Sequence, residues 1–159
     1  MPNFNTLLDE AGLDPRTTRV VRHKARRLND QLYDAALQRR PAFETYQATQ
    51  NRPVFGDAMH LAAFVVDRSK CTLFVGIWQV GDHHPGGEPD PFTGERLKPS
   101  GLTYSLTRTS HLEALFGRVV IEWGPGYRAW VQRADLHDKG VIEIRHLIRE
   151  QAQPGHPRY

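Results

Sequence analysis

Residues 60–80 read His60-Leu61-Ala62-Ala63-Phe64-Val65-Val66-Asp67-Arg68-Ser69-Lys70-Cys71-Thr72-Leu73-Phe74-Val75-Gly76-Ile77-Trp78-Gln79-Val80, and the predicted fold is built on these residues. Its two runs rich in β-branched and aromatic residues, 61–66 and 72–80, flank the turn-like polar cluster 67–70. The pattern predicts an antiparallel hairpin. Gly76 inside the second run predicts a β-bulge or a close backbone approach, features that bend a sheet toward a barrel.

The residues before this hairpin have a helical pattern. Asn5 or Thr6 can cap a short helix that ends near Gly12, where a left-handed residue is favoured. A second helix is predicted from about Asn29 to Gln38, and Pro41 suits the first turn of a third. The first part of the chain is therefore expected to supply helices to a sheet formed later.

Short strands are expected after the hairpin. They are predicted at Leu102 to Thr107, Arg118 to Trp123, Tyr127 to Gln132 and Val141 to Arg145, with a short capped helix at Ser110 to Phe116. Gly81 to Ser100 is rich in proline and glycine and is expected not to continue a sheet. The expected class is α+β, with N-terminal helices packed on a curved antiparallel sheet or a small β-barrel.

Size and composition predict one domain. The 159 residues, 39% of them hydrophobic, suit a single core, so residues 1–150 are expected to form one domain, followed by a flexible tail at 151–159. The single cysteine, Cys71, suits a reducing compartment. The first residues do not resemble a signal peptide, and no apolar run approaches the roughly 20 residues that span a bilayer. A cytoplasmic location is expected.

Catalytic motifs are not apparent in the sequence. It contains neither the phosphate-binding loop of nucleoside triphosphatases nor a dinucleotide-binding glycine pattern. Asp82-His83-His84, with Glu88 and Asp90 nearby, has metal-compatible atoms without the spacing of a preorganised site. We therefore expect no enzyme activity, no metal and no cofactor. The alternative is a metal-dependent nuclease that uses the carboxylates and lysine of residues 82–98.

Positive charge is concentrated near the N-terminus. The formal net charge is only +3, yet residues 16–27 hold six cations and no acidic residue: Arg16, Arg19, Arg22, Lys24, Arg26 and Arg27. Such a block is either a solvated charged surface or a face that contacts phosphates, where Lys and Arg release counterions and supply sequence-independent affinity.

An aromatic and arginine-bearing segment spans residues 121–133. Residues 121–123 and 127–133 are expected to pair as a hairpin around the turn 124–126. Alternation along the second strand then divides it between two faces, with Arg128, Trp130 and Gln132 on one and Tyr127 and Arg133 on the other. Tryptophan and arginine stack on bases, and glutamine hydrogen-bonds their edges. Alternatively, Trp123 or Trp130 fills the core, and the same choice applies to Trp78.

Several of these segments resemble one known family. Residues 7–23, 40–50, 72–78 and 121–133, in this order, resemble the N-terminal domain attached to GIY-YIG nuclease domains in many bacterial proteins. The resemblance implies a reader of modified DNA, above all of 5-methylcytosine, related to PUA-like barrels such as SRA and EVE domains and linked to modification-dependent restriction. No GIY-YIG motif occurs in this sequence, so it implies binding without cleavage, or recruitment of a separate nuclease.

The expected partner is therefore double-stranded DNA, preferably cytosine-methylated, with an RNA-binding PUA-like module as the alternative. The expected DNA contacts are Arg19, Arg22, Lys24, Arg26, Arg27, Arg128, Gln132 and Arg133. The expected residues of a modified-base pocket are Tyr46, Gln47, Trp78, Trp123 and Trp130.

Overall fold

Helices and strands alternate irregularly along the chain in a computed structural model, which describes residues 4–24, 31–66, 72–95, 101–122, 131–134 and 141–144. The helices are α1 (Phe4–Glu10), α2 (Gln31–Leu37) and α3 (Pro41–Ala48), and two 3-10 helices span Pro15–Thr17 and Glu113–Leu115. The strands are β1 (Thr18–Lys24), β2 (Thr49–Gln50), β3 (His60–Val66), β4 (Thr72–Pro85), β5 (Leu102–Arg108), β6 (Val119–Glu122), β7 (Val131–Arg133) and β8 (Val141–Ile144). The predicted α+β class is confirmed.

The described strands form one mixed, strongly curled half-barrel sheet in the order β2-β5-β4-β3-β1-β7, with β6 paired to both β4 and β8. The predicted hairpin of β3 and β4 is confirmed. The prediction of an antiparallel sheet is wrong for one pair of strands. β1 runs parallel to β3, from Thr18 opposite His60 to Lys24 opposite Val66. Parallel neighbours need a long crossover, and α2 and α3 lie within this connection.

The strand β1 was not predicted from the sequence. It lies between β3 and β7, and its valines are buried on opposite faces: Val21 in the cluster with α2 and α3, Val20 in the cluster with α1. A strand covered on both sides is expected to be apolar throughout. Here the cations around the two valines hid that pattern.

Gly76 marks the predicted bulge, which is confirmed. The register between β3 and β4 shifts at this point, and Gly76 adopts a φ of +139°. Because of the extra residue, the side chains that follow it face the side of the sheet opposite to the one that simple alternation would give. Val75 and Trp78 both lie in the cluster with α2 and α3, whereas Phe74 lies in the cluster with α1. Strict alternation, which would put Phe74 and Trp78 on one face, is therefore wrong.

The two faces of the sheet carry separate apolar clusters. On one face, α2 and α3 cover the sheet through Leu32, Tyr33, Ala35, Ala36 and Phe43, all at most 2% exposed. On the other, α1 covers it through Phe4 and Leu8, which lie in one cluster with Phe64 and Phe74. None of the helices in the described ranges combines the length and the hydropathy that a bilayer crossing requires.

Two expectations about the second half of the chain are corrected. Gly81 to Ser100 was expected not to continue a sheet, yet β4 extends to Pro85, which lies opposite Leu102 of β5. A proline is tolerated there because it ends the strand. The hairpin expected between 121–123 and 127–133 is not formed by the described strands, since β6 pairs with β4 and β8 while β7 pairs with β1.

Candidate functional site

An open pocket lies where the C-terminal end of α3 meets β1 and the segment that follows β4. It encloses about 430 Å³ of space, part of it continuous with solvent. Its lining residues come from three distant parts of the sequence: His23, Tyr46, Thr49, Gln50, Glu88, Pro89, Asp90 and Pro91.

One wall of the pocket is a turn held by Asp90. The Oδ1 atom of Asp90 accepts hydrogen bonds from the backbone N–H groups of Phe92 and Thr93, at 2.7 and 3.1 Å. The Phe92 ring meets the ring of Tyr46 edge to face, with 5.8 Å between centroids. The turn is thereby fastened to α3, whereas the Glu88 side chain at its start is exposed and has no ion pair within the described residues.

A buried histidine and glutamine lie behind Tyr46. His23 Nε2 and Gln47 Oε1 are 2.9 Å apart, and the His23 ring meets the rings of Phe43 and Tyr46 edge to face. Burial lowers the pKa of His23 from 6.5 to about 4, although the hydrogen bond to Gln47 partly opposes this shift. His23 is therefore neutral at pH 7. Gln47 is 0% exposed, and its Nε2 has no hydrogen-bond partner in the described part of the chain.

The two residues of β2, Thr49 and Gln50, line the pocket directly. Gln50 Nε2 donates to the backbone oxygen of Gln47 at 2.7 Å. A carbonyl oxygen can only accept, so this contact fixes which end of the Gln50 amide is the nitrogen. Gln50 Oε1 and Thr49 Oγ1 accept or donate no hydrogen bond within the described ranges. Two residues that line the pocket thus carry polar atoms that no other described residue engages.

The predicted pocket residues are only partly brought together. Tyr46 lines the pocket and Gln47 lies behind it, but Trp78 is a core residue with no exposed surface. Its indole Nε1 donates to Glu44 Oε2 at 2.7 Å, and the Arg108 guanidinium covers the ring at 4.2 Å. Of the two interpretations of Trp78, the structure supports the core. The other predicted pocket residues, Trp123 and Trp130, lie outside the described residues.

The three described arginines of the basic block are ion-paired or partly buried. Arg16 is bound to Asp14, and Arg19 donates to Asp57 at 2.9 Å with only 14% of its side chain exposed. Arg22 is partly buried, and burial lowers its pKa. Arg133 of β7 lies opposite Arg19 and is exposed. The remaining predicted contacts lie outside what the structure describes, wholly or in their side chains: Lys24, Arg26, Arg27, Arg128 and Gln132.

Two exposed arginines were not among the DNA contacts predicted from the sequence. Arg40 precedes α3 and lines a second depression together with Pro91 and Phe92. Arg52 follows β2 by two residues. Both arginines are exposed, and neither side chain has an ion pair among the described residues. Each stands away from the basic block in sequence, so charge clustering could not have revealed them.

A metal-binding arrangement is not found at the predicted loop. Asp82, His83 and His84 are exposed on the end of β4, where His83 meets the ring of Tyr104. Within the described residues, no group of three or more His, Cys, Asp or Glu side chains is arranged to hold a metal ion. Residues 96–98 of the alternative nuclease site lie outside the described part of the chain.

Comparison with known protein families, curated proteins and solved structures found no match for this chain. The resemblance to the domain that accompanies GIY-YIG nucleases therefore stays a prediction. The pocket and the charges around it are the features from which function can be argued.

Proposed function

We propose that this protein binds duplex DNA with a preference for 5-methylcytosine and holds the modified base in the pocket beside Tyr46, without cleaving the DNA. The observation that carries the proposal is the pairing of an aromatic wall with unused polar groups in one pocket. The sequence resemblance supplies the class of modified base. Restriction of modified DNA would then need a separate nuclease.

The free-energy cost of extruding a base is comparable to the gain from stacking it in the pocket. Extruding a base from a duplex costs a few kcal/mol, and stacking on one aromatic ring returns about 1–3 kcal/mol. Tyr46 is half-buried, so its ring is held by Phe92 and His23 before a base arrives. Hydrogen bonds from Thr49 and Gln50 add to the stacking. The methyl group contributes on the order of 1 kcal/mol of apolar burial, so we expect preference for methylated cytosine and weaker binding of plain cytosine.

Phosphate contacts would come from the cations around the pocket. Arg40 and Arg52 are exposed on the two chain segments that flank α3 and β2. Acidic Glu88 and Asp90 at the pocket itself disfavour a phosphate there and suit an uncharged base. The charge pattern therefore favours phosphates at the periphery and a base in the centre.

The first experiment measures fluorescence anisotropy with matched duplexes that differ only in one 5-methylcytosine, across a salt series. We expect tighter binding of the methylated duplex by roughly fivefold at every salt, the factor that about 1 kcal/mol supplies. Tyr46→Ala should weaken methylated duplex by tenfold or more through lost stacking, and Tyr46→Phe, which keeps the ring, should bind as the wild type does.

The outcomes separate the alternatives. Equal affinity for both duplexes at all salts would remove the preference for methylated DNA, and no binding at low salt would remove DNA binding altogether. An RNA of the same sequence that displaces methylated DNA would favour the RNA-binding alternative. Plasmid cleavage with magnesium or manganese would favour the nuclease alternative.

A further inference from the structure

A pocket that recognises 5-methylcytosine must also reject thymine. Thymine carries the same methyl group at the same ring position, so apolar contact with the methyl group cannot separate the two bases. They differ at position 4, where cytosine has an amino group that donates and thymine has an oxygen that accepts. A reader of 5-methylcytosine therefore needs a hydrogen-bond acceptor for that amino group.

We propose that Gln50 is this acceptor and that its Oε1 selects a base with an exocyclic amino group over thymine. This inference rests on the proposed function. Gln50 lines the pocket, is only 7% exposed, and its amide nitrogen is engaged with the Gln47 carbonyl at 2.7 Å. That bond holds the amide in one orientation and so fixes the position of Oε1. The amide nitrogen keeps a second N–H group, and Oε1 is the one atom of this side chain that can accept a hydrogen bond from an exocyclic amino group.

Other polar groups near the pocket are less suited to this role. Gln47 is fully buried behind the pocket, with its oxygen 2.9 Å from His23 Nε2, so it does not contact the base. Asp90 accepts two backbone hydrogen bonds through Oδ1 and is only partly buried. Glu88 also offers acceptors, but it is exposed, and solvent weakens the discrimination that an exposed group provides. Gln50 is the acceptor that is both buried and fixed in orientation.

Burial decides the size of the effect. A site that hydrogen-bonds a polar group rejects an analogue lacking it strongly, because its own buried polar atom is then left unpaired. We expect the wild-type protein to prefer 5-methylcytosine over thymine by about tenfold or more. Most of this preference should disappear in a variant that lacks the Gln50 acceptor.

The test uses duplexes with one target base opposite an abasic site, so that extrusion breaks no base pair in any of them. The targets are 5-methylcytosine, thymine and 5-methylpyrimidin-2-one, which lacks the group at position 4. The wild-type protein should bind the first at least tenfold more tightly than either of the others. Gln50→Met keeps the bulk and removes the acceptor, and it should bind all three within about twofold.

Glu88→Met removes the acceptors of the exposed Glu88 in the same way, and it should keep the wild-type ratio, even if all duplexes bind more tightly after loss of its charge. Wild-type protein that prefers 5-methylcytosine over cytosine but binds thymine equally would overturn this inference and leave the proposed function intact. Loss of the ratio in Glu88→Met but not in Gln50→Met would overturn the assignment to Gln50. The comparison of bases on wild-type protein stays decisive if Gln50→Met does not fold.

Discussion

The charge state of His23 is determined by the residues that pack around it. On a strand of alternating cations it would read as another charged side chain, but it is 4% exposed and packs among Phe43, Tyr46 and Gln47. A charge there would lose its hydration, so the neutral ring is favoured. The neutral ring in turn holds the Gln47 amide beside the pocket.

This burial predicts a loss of stability in acid. The folded-state pKa of about 4 lies below the unfolded value of 6.5, so the unfolded chain binds the proton first. The contribution is fully present above pH 6.5 and is lost as the pH falls toward 4, by up to about 3 kcal/mol. Urea unfolding at pH 7.5 and pH 4.5 measures it. His23→Gln should show a smaller difference between the two pH values.

The exposed His84 gives the control for this measurement, since His84→Gln should retain the wild-type pH dependence. His60 is also partly buried, and burial together with the nearby His111 lowers its pKa, so part of the acid sensitivity should remain in His23→Gln. An unchanged pH dependence in His23→Gln would show that His23 is accessible to protons in the folded state.

At the scale of elements, β4 organises the sheet. Its first half pairs with β3 and its second half with β5, and the Gly76 bulge lies between the residues that face opposite layers. Arg108 of β5 fills the space above the bulge, donating to the Val75 carbonyl at 2.9 Å while its guanidinium covers Trp78. The missing side chain of Gly76 makes room for this arginine.

Gly76→Ala should therefore destabilise the fold. A β-carbon would lie 2.6 Å from Arg108 Nη1 and 3.2 Å from the Trp78 ring, at a φ of +139° that alanine rarely adopts. We expect a loss of about 2 kcal/mol or more in the free energy of unfolding, from strain and crowding together. Gly86→Ala is the control, because Gly86 has a φ of +92° and open space around it. Equal losses in the free energy of unfolding of the two variants would mean that Arg108 moves away from the added β-carbon without destabilising the fold.

At the scale of the whole molecule, the distribution of charge is set by folding. The six cations of residues 16–27 look like one block in the sequence, but β1 places Arg19 against Asp57 and Arg22 in a partly buried position. Arg40 and Arg52, separated by twelve positions in the sequence, both stand exposed beside α3 and β2. The exposed cations beside α3 and β2 are therefore not the ones that clustering indicates.

Arg40→Ala and Arg52→Ala should weaken binding to methylated and unmethylated duplexes alike. Each should reduce the slope of log affinity against log salt by about one, as loss of one phosphate contact does. Arg16→Ala removes the same charge from a residue already bound to Asp14, and it should keep the wild-type slope. The measurement is anisotropy over a salt series. A reduced slope in Arg16→Ala alone would place the interface at the basic block instead.

Short-range patterns were sufficient for many elements. The β-branched runs of β3 and β4, the proline that opens α3 and the glycine at the bulge each act through neighbouring residues, so their structure could be predicted. The strand β1 could not be predicted, because its partners β3 and β7 are distant in sequence and supply both its hydrogen bonds and its burial. The partners of β6 were misjudged for the same reason.

Local patterns were sufficient to predict the α+β class, the helices and the central hairpin, and they indicated Tyr46 and Gln47 as candidate pocket residues. It is the pairing of distant segments that brings His23, Gln50 and the turn of Asp90 to Tyr46 and buries Trp78 in the core. Periodicity is a local property of the sequence, whereas the direction of a buried hydrogen bond depends on the group that lies opposite it. For Gln50, which lines the pocket, that group is the Gln47 carbonyl, which fixes the amide, and Oε1 has no hydrogen-bond partner among the described residues.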